Sequence, residues 1–148
     1  MGAELDRLPS DEWWVFHALP RGSSGTDIDH LVIGVGGVFC INTKNVSGNV
    51  WVAERTIMVS GAKTNYLPVA SAEATDVGKR LSRVAGRPIR VLPLVVFTKP
   101  ITIRARPVDV GVLESAHVRT WFAGQPRILS PQQAFELVLI ANQPETWV

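Results

Sequence analysis

Apolar positions along the chain change period several times, and each change predicts an element. Residues 12–19 are aromatic and β-branched, which reads as a strand. Residues 20–25 are proline-, glycine- and serine-rich and read as a loop. Residues 29–33 and 38–43 are apolar runs on either side of Gly34, Val35, Gly36 and Gly37, the pattern of a hairpin. Alternation puts Leu31, Ile33, Val38 and Cys40 on one face, and Val32, Phe39 and Ile41 on the other. Strands apolar on both faces belong in the middle of a covered sheet. Residues 49–53 and 56–59 read as short strands.

Further along, the period lengthens. Val69, Ala72, Val77, Leu81 and Val84 make an apolar stripe over 68–84, with Pro68 early and Gly86, Arg87 and Pro88 ending it. Residues 90–97 form a buried strand, and 108–113 another. Ser130, Pro131 and Gln133 predict a capped helix running to about Ala141. Strands first, then helix, strand and helix, predict an α/β (α+β) fold with a central mixed sheet flanked by helices.

The hairpin has a second consequence. A turn centred between Val35 and Gly36 sets Asp29 opposite Asn42 and Asp27 opposite Lys44, all pointing to one face. Charges at the end of a buried hairpin need partners. Two explanations stand at this point: an ion pair between Lys44 and Asp27 or Asp29, or a Mg²⁺ site, since Mg²⁺ takes one or two carboxylates and keeps several waters. His30 points to the other face and reads as a packed histidine, and Cys40 as a core residue.

Composition narrows the class. The 148 residues suffice for one domain with a core, and a single cysteine excludes a disulfide framework. No signal-peptide pattern and no apolar run of membrane-spanning length is visible, so a cytoplasmic protein without membrane partners is expected. Net charge is only +2 but unevenly spread. Residues 1–78 carry nine acids and five bases (−4), and residues 79–148 four acids and ten bases (+6). An anionic partner explains that asymmetry, and nucleic acid, DNA in the first instance, is the expected one. Lys79, Arg80 and Arg83 on the long helix, with Arg104 and Arg106 in a proline-bounded loop, are the candidate phosphate contacts. A solvated helix face is the plain alternative. One exposed tryptophan could stack on a base, but the sequence does not say which.

Ile28-Asp29-His30-Leu31-Val32-Ile33-Gly34, Gly37-Val38-Phe39, Thr43-Lys44-Asn45 and Gly48-Asn49-Val50 together resemble the nuclease-related domain family, placed among the PD-(D/E)XK nucleases. The resemblance continues more weakly through Leu67-Pro68-Val69, the basic helix and Val95-Val96-Phe97, and spans residues 13–98. It implies a restriction-endonuclease-like sheet with a Mg²⁺- or Mn²⁺-dependent phosphodiesterase site at one end. Asp29 matches the family's metal-binding aspartate, and Lys44 the lysine of its acidic-x-Lys motif. Asn42 stands on the acidic position of that motif and departs from it. The family glutamate on the helix before the first strand has only Glu4 as a counterpart, on a helix that reads as shortened to residues 2–8. Ser71 lies near a position where the family often has glutamine. Asp27, or Glu73 and Asp76 on the long helix, are the acids that could supply a missing carboxylate. The resemblance therefore implies nucleic-acid hydrolysis at a weakened or degenerate site. An inactive nucleic-acid-binding module and a protein-interaction domain are the alternatives. A homodimer or a partner chain completing the site is a further expectation.

Overall fold

The computed structural model describes residues 1–22 and 25–148. Of the expected loop at 20–25, residues 23 and 24 therefore lie outside the described residues. The hairpin organises the rest. Strands β2 (Ile28–Gly34) and β3 (Gly37–Lys44) pair antiparallel from Gly34↔Gly37 to His30↔Ile41, in the expected register. Strand β1 (Trp13–Leu19) lies on the other side of β2 and crosses close to the turn. A Cβ at Gly34 would come within 2.3 Å of the Glu12 carbonyl oxygen and 2.4 Å of the Trp13 ring. Only glycine fits there, so the close approach of the Trp13 indole dictates one residue of the turn.

The sheet is completed, after intervening short strands, by β7 (Leu92–Phe97) parallel to β3, and β9 (Gly111–Glu114) parallel to β7. Among the described residues its order is β1-β2-β3-β7-β9, a mixed sheet as expected. Helices α2 (Tyr66–Ala85) and α4 (Pro131–Ala141) cover one face, where Leu31, Ile33, Val38 and Cys40 pack with Ala74, Val77, Leu81 and Leu137. Helices α1 (Gly2–Asp6) and α3 (Val118–Ala123) cover the other, where Val32, Phe39 and Ile41 pack with Leu5, Trp13 and Phe122. Side chains buried this fully contribute roughly 1.5–3 kcal/mol each. That is why a hairpin apolar on both faces requires a helix layer on each.

Local signals fix the helix ends. Gly86 closes α2 in the left-handed conformation (φ 73°), its N–H donating to the Ser82 carbonyl at 2.9 Å. Ser130 Oγ accepts from the Gln133 N–H at 3.1 Å, and the Ser130 N–H donates to Gln133 Oε1 at 2.9 Å, the expected capping box.

The short strands β4 (Val50–Val52), β5 (Ile57–Val59), β6 (Ala62–Lys63) and β8 (Thr102–Ile103) were not foreseen as a sheet of their own, which runs β6-β5-β4-β8. Its inner face buries Val50, Val52 and Ile57 against Leu67 and Ala70 of α2 and Val95 and Phe97 of β7. Helix α3 was also not foreseen: six residues are too few to show a helical period, and burial of Val118 and Phe122 holds it. No helix among the described residues is long and apolar enough to cross a membrane.

Candidate functional site

Strands β2 and β3 part company at Asp29. The ladder between them stops at His30↔Ile41, while Ile28 still pairs with Leu19 of β1, and residues 42–44 pair with β7. At the split the Asp29 side chain substitutes for the missing strand bond: Oδ2 accepts the Thr43 N–H at 2.9 Å. One carboxylate oxygen is thus spent on orienting the group, and the other keeps its acceptor capacity.

The expected pairings of Asp29 with Asn42 and of Asp27 with Lys44 lie beyond the end of the ladder and do not form as strand pairs. The shared face does hold for β3. Asn42 follows Val38 and Cys40 onto the side covered by α2, and its Nδ2 donates to Glu73 Oε1 at 2.6 Å. Asp27 is exposed, just ahead of β2. Lys44 sets its ammonium 4.4 Å from the Tyr66 ring centroid, a cation–π contact at the first turn of α2.

Glu73 is the acid that the helix brings in. It is buried (7 % exposed). Burial raises its carboxyl above the ordinary glutamate range. The Asn42 hydrogen bond and the charge of Arg21 pull it partly back, and Asp29 pushes it further up. Asp76 behaves in the opposite way. Burial would raise it, but hydrogen bonds from Arg80 and Arg21 outweigh burial and hold it below the usual range. Arg21 joins the two acids, 3.9 Å from Glu73 Oε2 and 3.2 Å from Asp76 Oδ2, while its Nε donates to the Thr26 carbonyl at 2.8 Å. Sequence reasoning passed over Arg21, and nothing local marks it, because its partners Thr26, Glu73 and Asp76 are met only in the fold.

Arg80 is withdrawn from the expected phosphate contacts. It is buried, bonded to Asp76 at 3.0 Å, and donates to the carbonyls of Arg21 and Val148. Lys79, Arg83, Arg104 and Arg106 are exposed. Arg83 reaches the Thr146 carbonyl at 3.5 Å, and Arg104 stacks on Trp51. Glu4 lies on the α1 side of the sheet, paired with Arg7 and Arg119, and so away from Asn42. Ser71 borders a cleft with Glu54, Leu67 and Pro68. The Cys40 thiol is buried, and burial, followed by the nearby Glu73 charge, pushes it up to about 12, which makes it inert as a nucleophile. His30, on the opposite face, contacts His17 (Nδ1 to Nδ1 2.8 Å), whose Nε2 meets Asp6 at 2.9 Å.

A strand-end aspartate, a lysine two residues after Asn42, and an acid delivered to Asn42 by the following helix form one constellation at the open end of the hairpin. A nuclease-related domain model matches residues 1–98. The chain belongs to the nuclease-related domain family. No curated protein and no solved structure matched it. Where the resemblance implies an acidic-x-Lys motif, β3 carries the neutral amide of Asn42, with the Glu73 carboxylate of α2 beside it. The Asp29 and Glu73 carboxylates and the Asn42 carbonyl are hard oxygen donors, so the chemistry of the set fits Mg²⁺ or Mn²⁺. Among the described residues no three Asp, Glu, His or Cys side chains are grouped so as to hold a metal ion by themselves.

Proposed function

We propose that this nuclease-related domain binds nucleic acid and hydrolyses its phosphodiester backbone at a weakened Mg²⁺ (or Mn²⁺) site, in which Glu73 supplies the carboxylate that Asn42 lacks. The observation that carries this reading is the 2.6 Å contact between Asn42 Nδ2 and Glu73 Oε1. It puts a buried carboxylate beside the side chain that departs from the motif.

Asp29, oriented by the Thr43 N–H, and Glu73 would be the ionic ligands of such an ion, and the Asn42 carbonyl a neutral one. When bound there, Mg²⁺ or Mn²⁺ would supply Lewis acidity toward a water and offset charge on the phosphoryl group. The Lys44 ammonium is held over Tyr66 and stabilises negative charge developing on the phosphoryl oxygens. In the net reaction a water oxygen bonds to phosphorus, the bond to the leaving sugar oxygen breaks, and that oxygen gains a proton. Lys79, Arg83 and Arg106 supply phosphate contacts that carry no sequence information.

A second reading is a disarmed nucleic-acid binder. It is favoured by Arg21, whose charge near Glu73, together with the Asn42 amide, partly satisfies the carboxylate without a metal. Cleavage assays with Mg²⁺ and Mn²⁺ on the natural chain, Asp29→Ala, Glu73→Gln and Asn42→Asp separate the two. Slow cutting by the natural chain, lost in Asp29→Ala and Glu73→Gln, supports hydrolysis with Glu73 as ligand. Cutting by Asn42→Asp alone supports the disarmed binder. Undiminished cutting by Glu73→Gln removes Glu73 from the site.

A further inference from the structure

The small sheet turns one face inward and leaves the other open. Pairing sets Thr102, Trp51, Met58 and Lys63 in one row across β8, β4, β5 and β6. Alternation places this row opposite the buried Val50, Val52 and Ile57. Trp51 is 46 % exposed, whereas Trp13 and Trp147 are buried. The Arg104 guanidinium lies 5.0 Å from the Trp51 ring centroid. Beside Trp51, a cleft of about 390 Å³ is bordered by Asn49, Met58, Ser60 and Gly61. The row and the cleft border contain two cations, Lys63 and Arg104 when the stacked arginine is included, and no acid. Glu54, near the β4–β5 turn, borders a different cleft, with Leu67 and Ser71 of α2.

We infer that this face is a stacking platform for single-stranded nucleic acid, with Trp51 taking the face of an unpaired base and Arg104 and Lys63 holding the adjoining backbone. The inference rests on the nucleic-acid reading above and narrows its substrate to unpaired strands. A folding core has no need of an exposed indole, whereas an unstacked base offers a π-face that stacks without regard to sequence. An indole flanked by cations, with no acid on the same face, fits a polyanion carrying aromatic rings. Bases within a duplex are already stacked and cannot take up this position.

The platform is also tied to the candidate site through the backbone. Lys44↔Phe97 is the last pair between β3 and β7, and the same two chains pair again at Trp51↔Thr102. Between these pairs the Thr98 N–H donates to the Lys44 carbonyl, and Lys99 bonds the Gly48 carbonyl. Six residues thus lie between Lys44 and Trp51, along a stretch clamped by the neighbouring segment. A strand held on Trp51 is held by the segment that follows the catalytic lysine.

The test is binding of a labelled oligothymidylate and of its duplex with oligodeoxyadenylate, by anisotropy in chelator, for the natural chain, Trp51→Ala and Trp51→Phe. The expected result is tighter binding of the single strand and quenching of tryptophan emission by it. Trp51→Ala should weaken single-strand binding about tenfold, with duplex binding unchanged. Trp51→Phe, which keeps an aromatic face, should recover most of the affinity while losing the quench. The platform is overturned by unchanged single-strand binding in Trp51→Ala, by equal losses on strand and duplex, or by no binding in the natural chain. Because chelator removes the metal, the outcome is independent of cleavage. Trp51-dependent binding without cleavage in Mg²⁺ or Mn²⁺ defeats hydrolysis alone, and cleavage without Trp51-dependent binding defeats the platform alone.

Discussion

The Asn42 amide donates to the buried Glu73 carboxylate at 2.6 Å, joining the third strand of the sheet to the helix that covers it. An amide can make this bond in the absence of any ion. An ionised carboxylate at the same position has no hydrogen to donate and would face Glu73 as a like charge across the same gap.

This sets an expectation for Asn42→Asp. In chelator the variant loses a hydrogen bond to a charged acceptor and gains a like-charge contact, at a cost of about 1.5–3 kcal/mol. Added Mg²⁺ or Mn²⁺ should restore stability and raise the melting temperature more than in the natural chain, because the variant adds a third carboxylate to Asp29 and Glu73 for the ion to neutralise. Thermal melts with and without metal check this, and a variant as stable as the natural chain in chelator would count against the contact.

Arg80 and Lys79 are neighbours in sequence with opposite expected behaviour. Arg80→Ala removes the partner of Asp76 and frees two carbonyls, so it should lower stability by about 1.5–3 kcal/mol in urea denaturation. Lys79→Ala, at an exposed site, should leave stability nearly unchanged while weakening nucleic-acid binding and reducing its salt slope by about one. A reversed pattern would show that the buried guanidinium is the phosphate contact.

His30 predicts a pH dependence of stability. Burial lowers its pKa below 6.5; the nearby His17 and the amino terminus lower it further, while Asp29 and Asp6 oppose them. A histidine harder to protonate when folded contributes stability that is full above pH 6.5 and is lost as pH falls toward its folded pKa. Melting temperature should therefore drop on going from pH 7.5 to 5.5, and His30→Gln should flatten that drop. An unchanged slope in the variant would assign the acid sensitivity to other groups.

Several elements were legible because their causes are local. Gly86 and Pro88 stop the long helix, Ser130 and Gln133 start α4, and the spacing of Leu31, Ile33, Val38 and Cys40 fixed both the hairpin register and the face each side chain buries. Asp29 and Lys44 were marked by their positions at the ends of those strands.

The rest depended on approach between distant segments. That Arg80 is buried while Lys79 is exposed follows from how α2 rotates onto the sheet and from where Arg21 and Val148 meet it. That Trp51 is the exposed tryptophan follows from the packing of a separate small sheet on α2. The sequence by itself determined the strands, the hairpin register and the neutral residue at position 42, since period, turn length and residue identity are properties of neighbouring positions. Only the tertiary structure decided that Glu73 meets Asn42, because a contact across 31 residues depends on the angle and depth at which a helix seats on a sheet, and the packing of the whole core sets both.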